Sequence, residues 1–131
     1  MTNVGIPILM YAAYNAPEKQ YRNLQKITPE IANTYASAPV AELTPIYKDI
    51  TFKDIIATTQ KGKRAGLIWG LPEAMVSNIL LQNVIISAED PFGIFYAQNV
   101  RLENCTIITS AGKNKPETTH AQVFIDGKEF K

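Results

Sequence analysis

The sequence predicts an all-β fold of the solenoid type, a partial right-handed parallel β-helix with one long inserted loop. Three segments, which begin at Tyr47, Val76 and Ala97, follow a single pattern. In each segment an Asp or Asn precedes an aliphatic residue, and a second Asp or Asn follows five positions after the first. A repeat of 20 to 30 residues is typical of solenoids, in which each repeat buries its apolar face by stacking on the next.

The repeated polar residues are predicted to turn the chain at corners of the coil. Asp and Asn tolerate left-handed backbone angles and form hydrogen bonds with the local main chain. An interval of five residues therefore places one of them at each end of a short strand, and stacked corners are expected to form ladders of side-chain hydrogen bonds. The residues concerned are Asp49, Asp54, Asn78, Asn83, Asn99 and Asn104.

The apolar residues of the repeats alternate at period two, which is typical of strands, and the phase slips by one at Asn83. Leucine-rich repeats would need more leucines and usually a helical return, whereas the return at 89–98 has strand character. We expect Lys53, Gln82 and Glu103 to be exposed. We expect the inward residues to be buried: Ile50, Phe52, Ile55, Ile79, Leu81, Val84, Ile86, Val100, Leu102, Cys105 and Ile107.

The whole chain, 1–131, is interpreted as one partial β-helix domain whose best-defined coils span 46–110. Residues 4–14 have the pattern of a strand from an earlier coil. Residues 111–131 are predicted to form a closing strand, over 121–126, and a tail.

Residues 15–45 carry four prolines and no sustained hydrophobic period. A long unpatterned segment of this kind is either functional or disordered, and we expect it to protrude from the solenoid as a wall or lid. One helical turn is predicted at Pro29 to Asn33, with Thr28 as its N-cap.

Composition excludes several classes of partner and site. Thirteen Lys and Arg against twelve Asp and Glu leave a net charge of +1, without a charged block that would attract nucleic acid or a membrane. Cys105 and His120 are the single cysteine and histidine, so an internal disulfide and a zinc cluster of Cys and His are excluded. We expect no metal and no cofactor.

Three blocks carry a resemblance to a known family: TPIYKDITFKDI (44–55), AGLIWGLPEAMVSNILLQNV (65–84) and PFGIFYAQNVRLENC (91–105). In order and spacing they resemble the last coils of the polygalacturonase-type glycoside hydrolases of family 28, which hydrolyse pectin on a right-handed parallel β-helix. The most specific element is GLPE, Gly70 to Glu73. The resemblance implies the C-terminal part of a secreted or periplasmic enzyme, with a pectic polysaccharide or oligogalacturonide as its partner.

The catalytic elements of that family are absent from the sequence. Its members use an Asn-Thr-Asp element, an Asp-Asp pair, a Gly-His-Gly element and an Arg-x-Lys element, and the chain contains none of them. Lys61 and Lys63 lie too far along the sequence to replace the Arg-x-Lys element. We therefore expect no catalytic residue in this chain and no activity of the chain alone. The resemblance implies one substrate-binding residue, Tyr14, although Tyr11 competes for that position and a packed surface tyrosine is the alternative.

Other conspicuous residues have structural interpretations. Trp69 is expected to pack in the core or a corner, His120 to be solvated, and Cys105 to behave as a buried small hydrophobe. Gly70 and Gly93 are expected to supply corner backbone angles. We expect no two carboxylates of this chain to act as the proton donor and the base of glycoside hydrolysis. Asp49 and Asp54 lie at opposite ends of a strand, roughly 17 Å apart, and Glu89 and Asp90 are expected to be solvated in a turn.

Two other functions remain open at this point. One is a free-standing carbohydrate-binding module that uses Tyr14 and the segment 15–45. The other is a self-assembling β-helix module, because an uncovered coil at 4–14 would favour a homo-oligomer with an end-to-end interface.

Overall fold

The computed structural model describes residues 6–11, 28–33, 47–59, 61–110, 112 and 114–130. Within these ranges most residues are in strands and the single helix has five residues, which confirms the all-β class. The elements are β1 (Leu9–Tyr11), α1 (Pro29–Asn33), β2 (Lys48–Thr58), β3 (Arg64–Trp69), β4 (Val76–Ala88), β5 (Asp90–Glu103), β6 (Thr106–Thr109), β7 (Glu117–Ile125) and β8 (Lys128–Phe130).

The strands form one curled sheet in which β1 to β7 pair in parallel. The strand order is β1-β3-β5-β4-β2, with β6 also on β4 and β7 also on β5. Long strands change neighbours along their length: β5 pairs with β3 through its first half and with β4 through its second. In the repeats, equivalent residues are register partners, so Ile79 lies between Ile50 and Val100.

All six predicted corner residues adopt positive φ angles, between 50° and 58°. Two side-chain ladders join them across neighbouring strands. In the first, Asn78 Nδ2 donates to Asp49 Oδ1 and Asn99 Nδ2 donates to Asn78 Oδ1, both at 2.9 Å. The predicted left-handed angles and ladders are confirmed. Five of the six residues lie within β2, β4 and β5 and not between short strands, so their place at corners of a coil stays a prediction.

The second ladder has the same construction. Asn83 Nδ2 donates to Asp54 Oδ1 at 3.1 Å, and Asn104 Nδ2 donates to Asn83 Oδ1 at 2.9 Å. One strand further on, Asp126 Oδ1 accepts the backbone N–H of Asn104 at 2.8 Å. The carboxylate of Asp126 thus continues the row with a different kind of hydrogen bond.

The predicted inward residues all pack in or against one apolar core. Seven of them are buried: Ile79, Leu81, Val84, Ile86, Val100, Leu102 and Ile107. Ile50, Phe52, Ile55 and Cys105 are instead half-buried, so their predicted full burial is wrong. The first three belong to β2, which ends the strand order and has only β4 as a partner among the described strands.

The predicted outward residues are exposed to different degrees. Lys53 is exposed, as expected, but Gln82 and Glu103 are half-buried. Gln82 lies in register between Lys53 and Glu103 on the neighbouring strands. Long side chains in such rows cover one another's stems, which the sequence pattern does not reveal.

A second apolar cluster covers the opposite surface of the sheet at β3. Leu67, Trp69 and Phe95 are fully buried there and pack with Ala32 of α1. The helix begins after Thr28, whose Oγ1 accepts the N–H of Ile31 at 3.2 Å. The predicted cap and helical turn are confirmed. Most of the segment 15–45 lies outside the described residues, so its wall or lid role stays a prediction.

The expected role of two glycines is wrong. Neither Gly70 nor Gly93 has a positive φ. A Cβ at Gly70 would collide with the carbonyl oxygen of Tyr96, and one at Gly93 would collide with the Arg64 guanidinium. Both positions need glycine because a neighbour approaches closely and not because of a corner angle.

The end of the chain forms a hairpin. β7 begins at Glu117, earlier than the predicted strand over 121–126, and β8 pairs with it in antiparallel fashion. The connecting residues Asp126 and Gly127 have φ angles of 49° and 84°. An Asp-Gly pair with two positive φ angles is the pattern of a type I′ turn, and this sequence signal was available for the hairpin.

Candidate functional site

Tyr14, the substrate-binding residue implied by the resemblance, lies outside the described residues. Tyr11, its competitor, belongs to β1, and its backbone is in register with Trp69 of β3. The assignment of a substrate contact to Tyr14 therefore stays a prediction.

Trp69 is fully buried in the cluster that α1 covers. This confirms the expectation of core packing and excludes the side chain as an exposed platform for a sugar in this conformation. His120 is exposed, as expected. Its ring stacks on that of Tyr96, with centroids 4.9 Å apart and an interplanar angle of 17°, a contact that the sequence did not predict.

The Cys105 thiol is a structural group. Its Sγ donates a hydrogen bond to the carbonyl oxygen of Leu81 at 3.2 Å. Burial raises the pKa of the Cys105 thiol. The side chain is therefore a protonated thiol at neutral pH and is poorly suited to act as a nucleophile.

The carboxylates of the repeats have structural partners. Asp49 and Asp54 each accept an amide hydrogen in a ladder. Glu89 and Asp90 are half-buried, so the expectation that they are simply solvated in a turn is wrong. Glu89 Oε2 accepts the backbone N–H of Gly62 at 2.7 Å, and Asp90 begins β5 as the register partner of Arg64.

Arg64 is a buried charged residue that sequence reasoning missed. It is 2% exposed. Burial lowers the pKa of the Arg64 guanidinium, and the negative charges of Glu117 and Asp90 act in the opposite direction. Because arginine is rarely buried, its position at the start of a short apolar strand does not predict that Arg64 is buried.

A polar groove of about 240 Å³ lies where β2, β4 and β6 end. Thr58 and Ser87, which are register partners, contribute hydroxyl groups, and Lys61 contributes an exposed ammonium group. The groove is lined by Thr58, Thr59, Lys61, Ser87, Ala88, Glu89 and Ser110. Hydroxyl groups both donate and accept, so the groove has the chemistry to hold a sugar, and the carboxylate of Glu89 balances the ammonium charge of Lys61 there.

A second concavity, of about 310 Å³, lies on the outer surface of β5 and β7. It is lined by Asn99, Arg101, Glu103, Phe124 and Gly127. Neither concavity was predicted, because each combines residues from several repeats.

Within the described part of the chain, no group of three or more His, Cys, Asp or Glu residues is arranged to hold a metal ion. No helix there is long and apolar enough to cross a membrane. Comparisons with protein-family models, with curated proteins and with solved structures found no match.

Proposed function

We propose that the curled sheet is part of a right-handed parallel β-helix and that the chain is a C-terminal segment of a pectin-hydrolysing glycoside hydrolase of the polygalacturonase type. The observation that carries the proposal is the pair of corner ladders. Their rungs join residues 29 and then 21 positions apart, at equivalent places in the three sequence blocks that resemble the family.

The strand pairing supports the solenoid part of the proposal. In a β-helix each strand pairs in parallel with the equivalent strand of the next coil, and successive coils share one core. In this chain β2, β4 and β5 stack in this manner, and their inward residues Phe52, Leu81 and Leu102 are register partners. Stacked apolar rows of this kind are what a solenoid requires of its repeats.

In the proposed enzyme the chain forms part of the solenoid and of the substrate-binding surface, and it contributes no catalytic residue. Glycoside hydrolysis needs a proton donor and a base that flank one bond. Asp49, Asp54 and Glu89 are each engaged in a structural hydrogen bond, and the family's acidic elements are absent from the sequence. The polar groove beside Lys61 supplies hydroxyl groups, one ammonium group and the Glu89 carboxylate, a lining that can hold the hydroxyl groups of a sugar chain.

The test has a genetic part and a biochemical part. The reading frame upstream of Met1 should encode the four missing elements in the family's order. The purified 131-residue chain should release no reducing ends from polygalacturonate, whereas the product of the longer frame should release them with inversion of configuration. Hydrolysis by the 131-residue chain, or an upstream frame without these elements, would contradict the proposal.

A free-standing carbohydrate-binding module is the second candidate, and the polar groove is the observation that favours it. Calorimetry of the purified chain with galacturonate oligomers should then give saturable heat. Lys61→Ala and Tyr14→Ala should reduce that heat, whereas Lys128→Ala, an exposed residue in β8, should leave it unchanged. Full affinity in both of the first two variants would exclude these residues from the binding site.

A further inference from the structure

The second concavity has features that the proposed function does not use. It lies on the outer surface of β5 and β7, and its volume of about 310 Å³ is at the small end of ligand-binding pockets. We propose that it binds a single ring of a neutral sugar. The proposal is independent of the enzymatic assignment, which concerns an acidic polymer.

Phe124 supplies an aromatic surface in the concavity. Its neighbours Val123 and Ile125 pack in or against the core, so Phe124 points to the outer surface, where it is half-buried and lines the concavity. An exposed aromatic face packs well against the C–H face of a sugar ring, because both surfaces are apolar and nearly flat.

Arg101 and Glu103 supply opposite charges beside this ring. Arg101 is the register partner of Phe124, and Glu103 follows two positions later on the same surface. Arg101 Nη1 and Glu103 Oε1 are 3.7 Å apart, and the two side chains are 46% and 41% exposed. The two groups form an ion pair, and since a guanidinium has five N–H donors and a carboxylate has two acceptor oxygens, both keep capacity to bond with a ligand.

This charge arrangement selects a ligand class. A hydroxyl group donates and accepts, so neighbouring hydroxyls of a sugar can bond with the carboxylate and the guanidinium together. An anionic ligand that Arg101 attracts would be repelled by Glu103, and a cationic ligand that Glu103 attracts would be repelled by Arg101, so a net charge on the ligand gains nothing here. A neutral polyhydroxylated ring satisfies both side chains without an unbalanced charge.

Asn99 and Gly127 complete the rim. Asn99 donates its side-chain amide to Asn78, and no described residue donates to its own Oδ1, which leaves an acceptor at the edge. Gly127 has a φ of 84°, and apart from its two chain neighbours no described residue has an atom within 4 Å of the position where a Cβ would stand. The turn residue therefore adds no side-chain bulk at that edge of the concavity.

The test compares neutral D-galactose with two charged analogues, D-galacturonate, which carries a carboxylate at C6, and D-galactosamine, which carries an ammonium group at C2. Titration of the ¹⁵N-labelled chain should give saturable shifts of amides at 99–103 and 124–127 with D-galactose. A shallow site for one ring predicts a Kd of about 1 to 10 mM. Both charged analogues should bind more weakly at the same amides.

Charge variants should change the preference among these sugars. Glu103→Gln should raise the affinity for D-galacturonate relative to that for D-galactose by about two- to fivefold. Arg101→Gln should raise the relative affinity for D-galactosamine by a similar factor. Phe124→Ala should weaken the binding of all three sugars. Gln122→Ala, an exposed change on β7 that does not line the concavity, is the matched control and should leave all three unchanged.

Both charge variants concern partly exposed side chains, so they keep the test valid even if Phe124→Ala fails to fold. The proposal is overturned if D-galactose gives no saturable shifts, if it shifts amides elsewhere on the chain, or if D-galacturonate binds at least as tightly. Preferences that do not change in the two charge variants would also overturn it. The enzymatic proposal would survive each of these results, because it is tested by the upstream frame and by hydrolysis.

Discussion

The side-chain amide of Asn99 donates a hydrogen bond of 2.9 Å to the side-chain oxygen of Asn78, a residue 21 positions earlier. Asn78 donates in turn to Asp49. An amide carries a donor and an acceptor, so it can continue a ladder, whereas a carboxylate can only accept. This explains why Asp occupies the first rung of both ladders, at Asp49 and Asp54, and Asn the later rungs.

Asn78→Ala should lower the free energy of unfolding by about 2 to 4 kcal/mol. Alanine would be forced to a φ of 56°, and two ladder hydrogen bonds would be lost. Asn78→Gly tolerates this φ and loses only the hydrogen bonds, so it should cost about 1 to 2 kcal/mol. Urea denaturation of both variants measures the difference, and equal losses would show that the backbone angle contributes nothing.

Leu81→Ala should destabilise the fold by about 2 to 5 kcal/mol, since the side chain is fully buried and truncation leaves a cavity. Leu80→Ala is the matched control. It removes the same atoms from the adjacent residue of β4, which is half-buried on the outer surface, and should cost much less. Equal shifts of the denaturation midpoint would mean that the inward and outward phases of β4 are misassigned.

Gly66→Ala should be destabilising because the new Cβ would collide with the ring of Phe92. Phe92→Leu alone should also destabilise, because Phe92 is buried in the core. The double variant should be less destabilised than the sum of the two single changes, by about 0.5 to 3 kcal/mol, since the smaller side chain relieves the collision. Strict additivity in thermal or urea unfolding would contradict this contact.

The left-handed backbone angles and the inward phase could be predicted from sequence because both depend on local spacing. The five-residue interval between Asn78 and Asn83 places two left-handed residues without knowledge of any partner, although both lie within the single strand β4 and not at the ends of a short one. The half-burial of Phe52 could not be predicted, because it depends on the end position of β2 in the sheet. The close approaches at Gly70 and Gly93 likewise involve residues of neighbouring strands.

The candidate sites were less predictable than the fold. The concavity at Phe124 joins residues from β5 and from the β7–β8 turn, and their spacing along the chain has no recognisable motif. The groove at Lys61 similarly depends on how three repeats align at one end. Sequence reasoning favoured Tyr14 through resemblance to a family, a residue outside the described ranges.

The raised pKa of the Cys105 thiol predicts a loss of stability at high pH. The unfolded chain releases the thiol proton near its ordinary pKa of about 8.5, whereas the folded chain retains it to higher pH. Stability should therefore be unaffected by this group below that value and fall as the pH rises through the folded pKa. Urea denaturation at neutral and alkaline pH measures the effect.

Cys105→Ser is the control for this prediction, because serine can still donate to the Leu81 carbonyl but does not titrate in this range. The other titrating groups are common to both proteins, so the wild type should lose more stability than the variant on going to alkaline pH. Equal losses, or rapid reaction of the folded thiol with Ellman's reagent at pH 7, would contradict a half-buried and protonated Cys105.

Trp69 allows the docking of α1 to be followed directly, because it is the single tryptophan of the chain and packs in the cluster that contains Ala32. Ala32 is fully buried, so Ala32→Glu would place a charge in the cluster that contains Trp69 and should displace α1 from the sheet. We expect a red shift of the fluorescence and stronger quenching by acrylamide. Glu30→Gln, an exposed change in the same turn, should leave both unchanged.

Since α1 contributes no strand to the sheet, the far-ultraviolet circular dichroism signal of the parallel strands should persist in Ala32→Glu. Unaltered emission in that variant would mean that residues other than α1 shield the indole ring.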